Sequence, residues 1–592
     1  MKALRYSSLI LIIGMLAGFF AACKKSFLER APQGSLSEEI VANKAGVTYL
    51  LIGAYAALDG QGDGAALGGG DPWRAAPTNW VYGSVVGGEA HKGSNAGDQE
   101  PINSIAASTY NASNDFFNTK WKAVYEGVNR CNLTLKEMHL ATDMSDAEKT
   151  QVEAEARFLR GHYYFELKKF FNNVPYISDT TSNVKVSNEV DIWPFIEADF
   201  KFAMDNLPET QGGDVARVNK WAAQIYLAKS YLYEKKYQEA FTLFQDAIVK
   251  GKTSAGVGYN LSTRFENNFD AAAKLGNPEA VFYIEMTAND GTGSIANANP
   301  GEMLNFPYGG PTTCCGFFQP SQDLVNSYRV DAAGLPYLDD YNSHAVKSDM
   351  NISSSDAFTP DAGLLDPRLD WTVGRRGLPY HDWGYHAGAS WQRDQAYSGP
   401  YSPKKMMYWK ATQDKYHDAH SWAPGTAINV NLIRFADVLL MNAECAAQIG
   451  NMPVATAMVN RVRDRMKNNP AEWLHKYVPG TTSFDPAVMA ANYKIGDYPE
   501  FSDKTLALKA IYFERKLELA EEGHRFFDLS RWGIADQVLN AFYAYEVGTA
   551  KIPDLTGAVF TKGKNEYFPI PQRQIDLTLN GSERVLKQNA GY

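Results

Sequence analysis

Residues 220–249 read KWAAQIYLAKSYLYEKKYQEAFTLFQDAIV, and this stretch decides the fold. Leu227, Ala228, Tyr231, Tyr237, Ala240, Phe244 and Ala247 fall at helical spacing on either side of a Glu234-Lys235-Lys236 break, which predicts two helices facing each other. The small residues let an antiparallel pair approach closely, and the aromatic rings fill the groove between them. Upstream, Ser145 and Glu148 form a Ser-x-x-Glu capping box. It opens a long helix through Arg157, Leu159, Tyr163, Leu167 and Phe170 that must end before Pro175.

The spacing within 220–249 is that of a tetratricopeptide repeat, and a second candidate hairpin runs from Ala436 to Met466. There Ala443, Ala447 and Ala455 surround a Gly450-Asn451 turn, so a few divergent repeats are expected rather than a regular array. Amphipathic helices are also expected over Leu36 to Leu58, Trp121 to Met138 and Asp503 to Glu522. Cys131 and Cys445 lie in helical patterns and read as small buried residues. The fold class is therefore mainly α, with few short strands. Two segments break the period. Residues 59–115 are rich in Gly, Ala, Asn and Ser, and residues 251–429 are rich in Gly, Pro and aromatics. Irregular connections of such length are usually functional or disordered. The end of the chain, Pro569 to Tyr592, reads as an extended tail packed on the body.

The first residues address the compartment. Lys2 and Arg5 precede an apolar run from Leu9 to Phe20, and Ala21-Ala22-Cys23 closes it. The run is shorter than the roughly 20 residues of a membrane-spanning helix, and small-small-Cys is the cleavage pattern of a lipoprotein signal peptide. Residues 1–22 are expected to be removed and Cys23 to carry acyl chains that hold the protein to a membrane. The remaining chain divides into 23–250, a helical region with the repeat-like hairpins, and 251–592, a loop-rich insert at 251–430 followed by a return to helix. The two are expected to intertwine. Net charge is −10, and loss of Lys2 and Arg5 makes it −12. Without a clustered basic stripe, the chain lacks the phosphate-neutralising charge that dominates nucleic-acid affinity.

Catalytic motifs are missing. Gly251-Lys252-Thr253 supplies half of a phosphate-binding loop, but Asp246 stands where its first glycine belongs. There is no His-Glu-x-x-His, no Gly-x-Ser-x-Gly and no paired Cys-x-x-Cys set, and no cofactor or metal is expected. His381 and His386 sit five apart in a Gly-rich loop, a weak metal hint. Glu518, Glu521 and Glu522 lie beside Arg515, Lys516 and Arg525, which reads as a structural ion-pair network. Paired carboxylates of a glycosidase leave no fixed spacing, so sequence alone does not test for them.

Several blocks then occur in order. They are Ser26-Phe27-Leu28-Glu29 with Pro32, Glu155 to Arg160 followed by Tyr163-Tyr164-Phe165, Val174-Pro175-Tyr176, and Arg217. Further on come Pro320 to Val325, Asp366-Pro367-Arg368-Leu369, and Arg434 to Met441 with Ala443-Glu444. The last are Glu514-Arg515, Glu518-Leu519, Glu522 to Arg525, Asp528-Leu529, Arg531 to Gly533, Pro569-Ile570-Pro571 and Gln588 to Tyr592. Each block is weak alone, but their ordered co-occurrence resembles the SusD/RagB outer-membrane lipoproteins of Bacteroidota along nearly the whole mature chain. The resemblance implies a helical fold on tetratricopeptide-like hairpins, an irregular region carrying a ligand site, no enzymatic activity, and a SusC-like TonB-dependent transporter as partner. It implies that Arg515, Arg525 and Asp528 serve as buried ion pairs and helix ends. Two departures stand out: Lys24 and Lys25 follow the lipid cysteine where surface-exported members often carry acidic residues, and Ala590 replaces a usual proline.

Sugars present flat C–H faces edged with hydroxyls, so a capture site needs exposed rings and a few polar side chains. The irregular segments carry such residues: Trp73, Trp80 and Tyr82 in the first, and Tyr308, Phe317, Trp383, Tyr385 and Trp391 in the second. Trp371, beside the Asp-Pro-Arg-Leu block, reads as core. Cys314 and Cys315 precede Phe317 and could form a vicinal disulfide edge for a ligand, remain two thiols, or bond elsewhere. The expected function is glycan capture at the cell surface of the outer membrane and delivery to the transporter. Peptide or another nutrient on the same scaffold is the alternative, and an all-helical glycoside hydrolase the more remote one.

Overall fold

The computed structural model describes residues 41–60 and 71–592. The signal segment, Cys23, and the Lys24-Lys25 and Ser26–Pro32 positions lie outside the described residues. Eleven longer helices carry the architecture: α1 (Lys44–Ala56), α2 (Asp115–Leu140), α3 (Asp146–Phe171), α4 (Trp193–Asn206), α5 (Lys220–Tyr233), α6 (Tyr237–Lys250), α7 (Phe435–Gln448), α8 (Met452–Lys467), α9 (Lys504–Glu518), α10 (Arg525–Trp532) and α11 (Ala535–Gly548). The capping box opens α3 as expected: Ser145 accepts from the Glu148 backbone, and Glu148 bonds back to the Ser145 backbone. The hairpin read at 220–249 is α5 and α6, and the second is α7 and α8. Gly450 turns between the latter pair at φ +85°, and Asn451 caps α8 by accepting from the Val454 N–H.

Helices α2 to α6 pack consecutively, each on the next, and α6 then packs on α7, nearly two hundred residues further along the chain. The helix α7 also contacts α8 and α9, which is why it is buried on almost every face from Phe435 to Ala447. Four two-stranded antiparallel ribbons fasten the irregular segments: β1 (Ala90–Gly93) on β3 (Phe317–Pro320), β2 (Ala280–Ile284) on β6 (Val430–Arg434), β4 (Val373–Gly374) on β5 (Ser402–Pro403), and β7 (His475–Tyr477) on β8 (Phe484–Met489). The tail lies against the body, where the Asn589 amide donates to the Phe171 and Phe568 carbonyls at 2.8 Å each. No helix among the described residues is long and apolar enough to cross a membrane.

Between the hairpins sits a buried ionic lattice. Arg368 binds Asp366 at 2.7 Å, Glu514 at 2.6 Å and Glu518 at 3.0 Å. Arg463 takes the other oxygen of Glu514 at 2.8 Å, and Arg465 joins Glu279 at 2.9 Å to Glu518 at 2.6 Å. Arg434 reaches Glu279, Glu518 and Glu522 at 3.2, 2.6 and 2.8 Å, and Lys405 closes on Glu522 at 2.7 Å. Five acids thus meet five bases. Burial disfavours the Glu518 carboxylate, but Arg465, Arg434 and Arg368 outweigh it and hold its pKa well below the usual carboxylate range.

Breaking a buried pair while leaving the partner charged costs roughly 3–5 kcal/mol. Glu518→Gln, which keeps the side chain's shape, is expected to lower unfolding stability by about that amount in urea titrations at neutral pH. A depressed carboxylate pKa contributes stability above its unfolded value of about 4.3 and loses it as pH falls towards the folded value. The gap between wild type and variant should therefore narrow on acidification; a gap unchanged from neutral pH to acid would rule out the ionised contact.

Candidate functional site

The first irregular segment is not an exposed loop. Residues 80–94 thread the interior as a π-helical turn (Trp80–Val85) and strand β1, because their apolar side chains find partners far along the chain. Trp80 is 1% exposed, donates its indole N–H to the Gly301 carbonyl at 3.1 Å and packs against Phe318 at 5.6 Å. Tyr82 is buried with its hydroxyl on the Arg74 and Phe116 carbonyls. Phe317 is buried in β3, opposite Gly93. Trp73 is 6% exposed and meets the ring of Trp422 edge-on at 6.4 Å. The expectation that these four rings face a ligand is corrected: Trp80, Tyr82 and Phe317 are core, and Trp73 supports another ring. Trp371 is core, as expected.

The second segment does supply a surface. Tyr308 is 38% exposed, its N–H donates to the Trp391 carbonyl at 3.0 Å, and the Arg393 guanidinium lies over its ring at 5.3 Å. Arg393 is exposed and pairs with Asp98. Trp391 is half-buried, edge-on to Tyr380 at 5.5 Å and His386 at 4.8 Å. Gly310 is what lets the 308–316 loop lie on that indole, since a Cβ there would come within 2.6 Å of the Trp391 ring. Trp383, also half-buried, donates its indole N–H to the Tyr408 carbonyl at 2.8 Å and stands edge-on to the Tyr408 ring at 5.7 Å. Tyr408 contacts Phe306, and the Phe306 carbonyl accepts from Gly316, which ties this pair to the Tyr308 loop. Tyr385 is exposed but lies against Tyr477 of the β7–β8 ribbon at 4.9 Å.

Cys314 and Cys315 form a vicinal disulfide. Cys315 is buried and Cys314 half-buried against the main core. Around them the Thr312 hydroxyl donates to the Pro307 carbonyl at 2.6 Å and the Gly316 N–H to the Phe306 carbonyl at 2.9 Å, so the loop under Tyr308 is pinned at both ends. Sequence reading missed Trp422. At 63% exposed it is among the most exposed large apolar side chains described. It stood in a polar stretch, His420-Ser421-Trp422-Ala423, where a lone ring is itself the signal.

His381 and His386 are both buried, one on the Lys404 carbonyl at 3.2 Å and the other on the Ser402 hydroxyl at 2.9 Å. Burial pulls both imidazole pKa values down to about 3. Among the described residues no group of three or more His, Cys, Asp or Glu could hold a metal. Arg515 pairs with Asp437 at 2.6 Å and with Asp528 at 2.7 Å, as the resemblance implied. Arg525 stands at a helix end, as the first residue of α10, but makes no ion pair among the described residues: its Nε has no partner, and one Nη reaches the Tyr512 carbonyl at 3.4 Å. Glu518 and Glu522 enter the lattice, but Glu521 makes no ion pair among the described residues.

The described residues form a helical-repeat body that carries loops with exposed aromatic rings. The chain belongs to the SusD family, whose profile, described as "SusD family", matches residues 278–592. A second profile, "Starch-binding associating with outer membrane", matches residues 76–232. Among curated relatives, SusD-like protein P25 of Formosa agariphila is 24% identical over 426 residues, 70% of each chain. SusD-like protein P2 of the same organism is 23% identical over 460 residues, 75% of this chain and 76% of that protein. Among solved structures, a laminarin binding SusD-like protein aligns with TM-score 0.62 at 21% identity, covering 93% of this chain and all of the other. Surface glycan-binding protein A of Bacteroides thetaiotaomicron in complex with laminarihexaose aligns with TM-score 0.62 at 18% identity, covering 92% and 99%. At these identities the structural likeness is one of fold.

Alkylation of the denatured, unreduced protein should label Cys131 and Cys445 but leave the fragment containing Cys314 and Cys315 unmodified, and prior reduction should add two labels to it. Peptide mass spectrometry reads the difference, and labelling without reductant would refute the vicinal bond.

Proposed function

We propose that this protein is a non-catalytic glycan-capture lipoprotein, anchored through Cys23 at the outer membrane and exposed at the cell surface, that passes oligosaccharide or polysaccharide to a SusC-like TonB-dependent transporter. The observation that carries the glycan reading is the set of rings presented on braced loops: Tyr308 and Trp422 exposed, Trp383 and Trp391 half-buried. A ring with one accessible face can stack on the C–H surface of a pyranose, and the amphipathic site needs only a few polar partners. Arg393, exposed beside Tyr308, supplies hydrogen-bond donors at the rim. Two fold neighbours bear the names of laminarin and laminarihexaose, so β-glucans head the panel of ligands to be tried.

Membership of the SusD family supports the transporter partnership and the outer-membrane address. The half-buried Cys314 would add a rigid apolar edge next to Tyr308. Tyr385, turned towards Tyr477, belongs to the periphery of this surface. A peptide or another nutrient would use the same rings, and the ligand panel separates these readings.

Affinity electrophoresis and calorimetry with polysaccharides and peptides, with glycan products monitored in the same tubes, form the test. Glycan binding without product release is expected. Tyr308→Ala and Trp422→Ala should each weaken it about tenfold, equivalent to about 1.4 kcal/mol, with unchanged circular dichroism. Peptide binding alone would redirect the ligand class, and product release would overturn the non-catalytic reading.

A further inference from the structure

Glu521 is the carboxylate that the ionic lattice leaves out. Its side chain is 5% exposed, and neither oxygen has a hydrogen-bond partner among the described residues. Its backbone sits at φ +64°, in the left-handed region that a β-carbon disfavours, fixed there by the Glu521 N–H donating to Glu89 Oε2 at 3.0 Å. A residue held in such a conformation with its charge unmet marks a place where surrounding structure imposes the arrangement.

The side chain lines a cavity of about 60 Å³ that is shared with Glu302, Asn299, Thr78, Asn429 and Asn431. Glu302 is 4% exposed, accepts the Asn305 amide at 2.6 Å and lies beside the Thr78 hydroxyl; it makes no ion pair among the described residues. Asn299, itself at φ +46°, leaves its buried Oδ1 without a donor. Lys405 also borders the cavity, but its ammonium is committed to Glu522 Oε1 and the Ala520 carbonyl, each at 2.7 Å. Arg434 neutralises the remainder of Glu522. Two carboxylates and an amide oxygen therefore line one space, and none of them is hydrogen-bonded to a basic side chain.

We propose that this cavity is a binding site for a hard, oxygen-preferring divalent cation of the calcium class. Carboxylate, amide carbonyl and hydroxyl oxygens are the ligands such ions take, and calcium tolerates irregular geometry completed by water. A proton on Glu521 would give it one O–H to donate, to Oδ1 of Asn299 or to Glu302, and leave its other oxygen unmet, whereas one cation can be shared by all of these oxygens. Burial outweighs the pull of the nearby Lys405 ammonium and, with the charges of Glu89 and Glu302, raises the Glu521 pKa well above the usual carboxylate range, a demand that a cation would relieve. Glu89, pushed up to about 7 by burial, adds negative charge behind the site as pH rises.

The test uses the purified full chain stripped with chelator, then returned to calcium, magnesium or sodium, with melting temperature and bound metal measured. Calcium should be retained at one ion per chain and raise the melting temperature by several degrees. Glu521→Gln and Glu302→Gln should each abolish both effects while circular dichroism is unchanged. Calcium bound equally by wild type and both variants would overturn the site. So would a protein that retains no divalent ion and shows no calcium-dependent shift, with Glu521→Gln removing a loss of stability at alkaline pH; Glu521 would then be a buried neutral acid.

Discussion

The structure depends on a charge-balanced lattice buried where the helical hairpins meet. Asp366, Glu279, Glu514, Glu518 and Glu522 face Arg368, Arg434, Arg463, Arg465 and Lys405, with side chains at most 7% exposed. Removing ten charges from water is expensive, and well-packed apolar residues could often match the net stability. The lattice adds register. Arg434 stands at the junction of β6 and α7, Arg463 and Arg465 on α8, and Glu514 and Glu518 on α9. A slip of one residue in any of these elements would strand a buried charge, so the lattice admits one arrangement of them.

That arrangement sets where the loops hang. Glu279 immediately precedes β2, which pairs with β6, so the start of the loop-rich insert is fixed to its end. Within the insert, β5 returns to β4 and closes the stretch 375–401 on a fixed base, while β3 is fastened to β1 in the first irregular segment. Trp383 and Trp391 stand on that stretch, Tyr308 stands shortly before β3, and Trp422 lies between β5 and β6. Each outward ring has an inward brace: Tyr380 and His386 under Trp391, Tyr408 beside Trp383, Trp73 under Trp422. Aromatic pairs set edge to face contribute about 0.5–1.5 kcal/mol beyond their buried area, enough to help hold a ring in place.

The hairpins, the capping box and the blocks that resemble the family were legible because they are local or ordered in sequence. Ser145 and Glu148 lie three residues apart, and so do many of the apolar positions on α5 and α6. The blocks Asp366 to Leu369, Arg434 to Met441 and Glu514 to Leu519 prove to be the pieces of the lattice, distant in sequence but joined in space. Exposure was not legible. Trp80 and Trp422 are the same residue type in similarly irregular surroundings, yet one is 1% and the other 63% exposed. What separates them is a partner more than two hundred residues away, the Gly301 carbonyl that receives the Trp80 indole, and no local pattern encodes it. The 59–115 segment was read as a loop for the same reason. Glu521 shows the converse error: its neighbours in sequence suggested an ion pair, but a left-handed residue turns it away from the basic side chains that Glu518 and Glu522 reach.

On the proposed function, stability and recognition fall to different residues. The lattice sits between helices and contains none of the outward rings, while Tyr308, Trp383, Trp391 and Trp422 owe their positions to local braces and short ribbons. A substitution at a ring changes the binding surface without stranding a charge, and a substitution in the lattice strands a charge whatever the ligand. Loops of altered length or composition can be carried between the same strands so long as the ribbons close, because entropy of loop closure grows only slowly with length. The architecture therefore constrains the ligand weakly and the scaffold strongly. On such a body, the chemistry of capture has to be read from the faces of a few rings and their polar rims, and the fold fixes only where those faces stand.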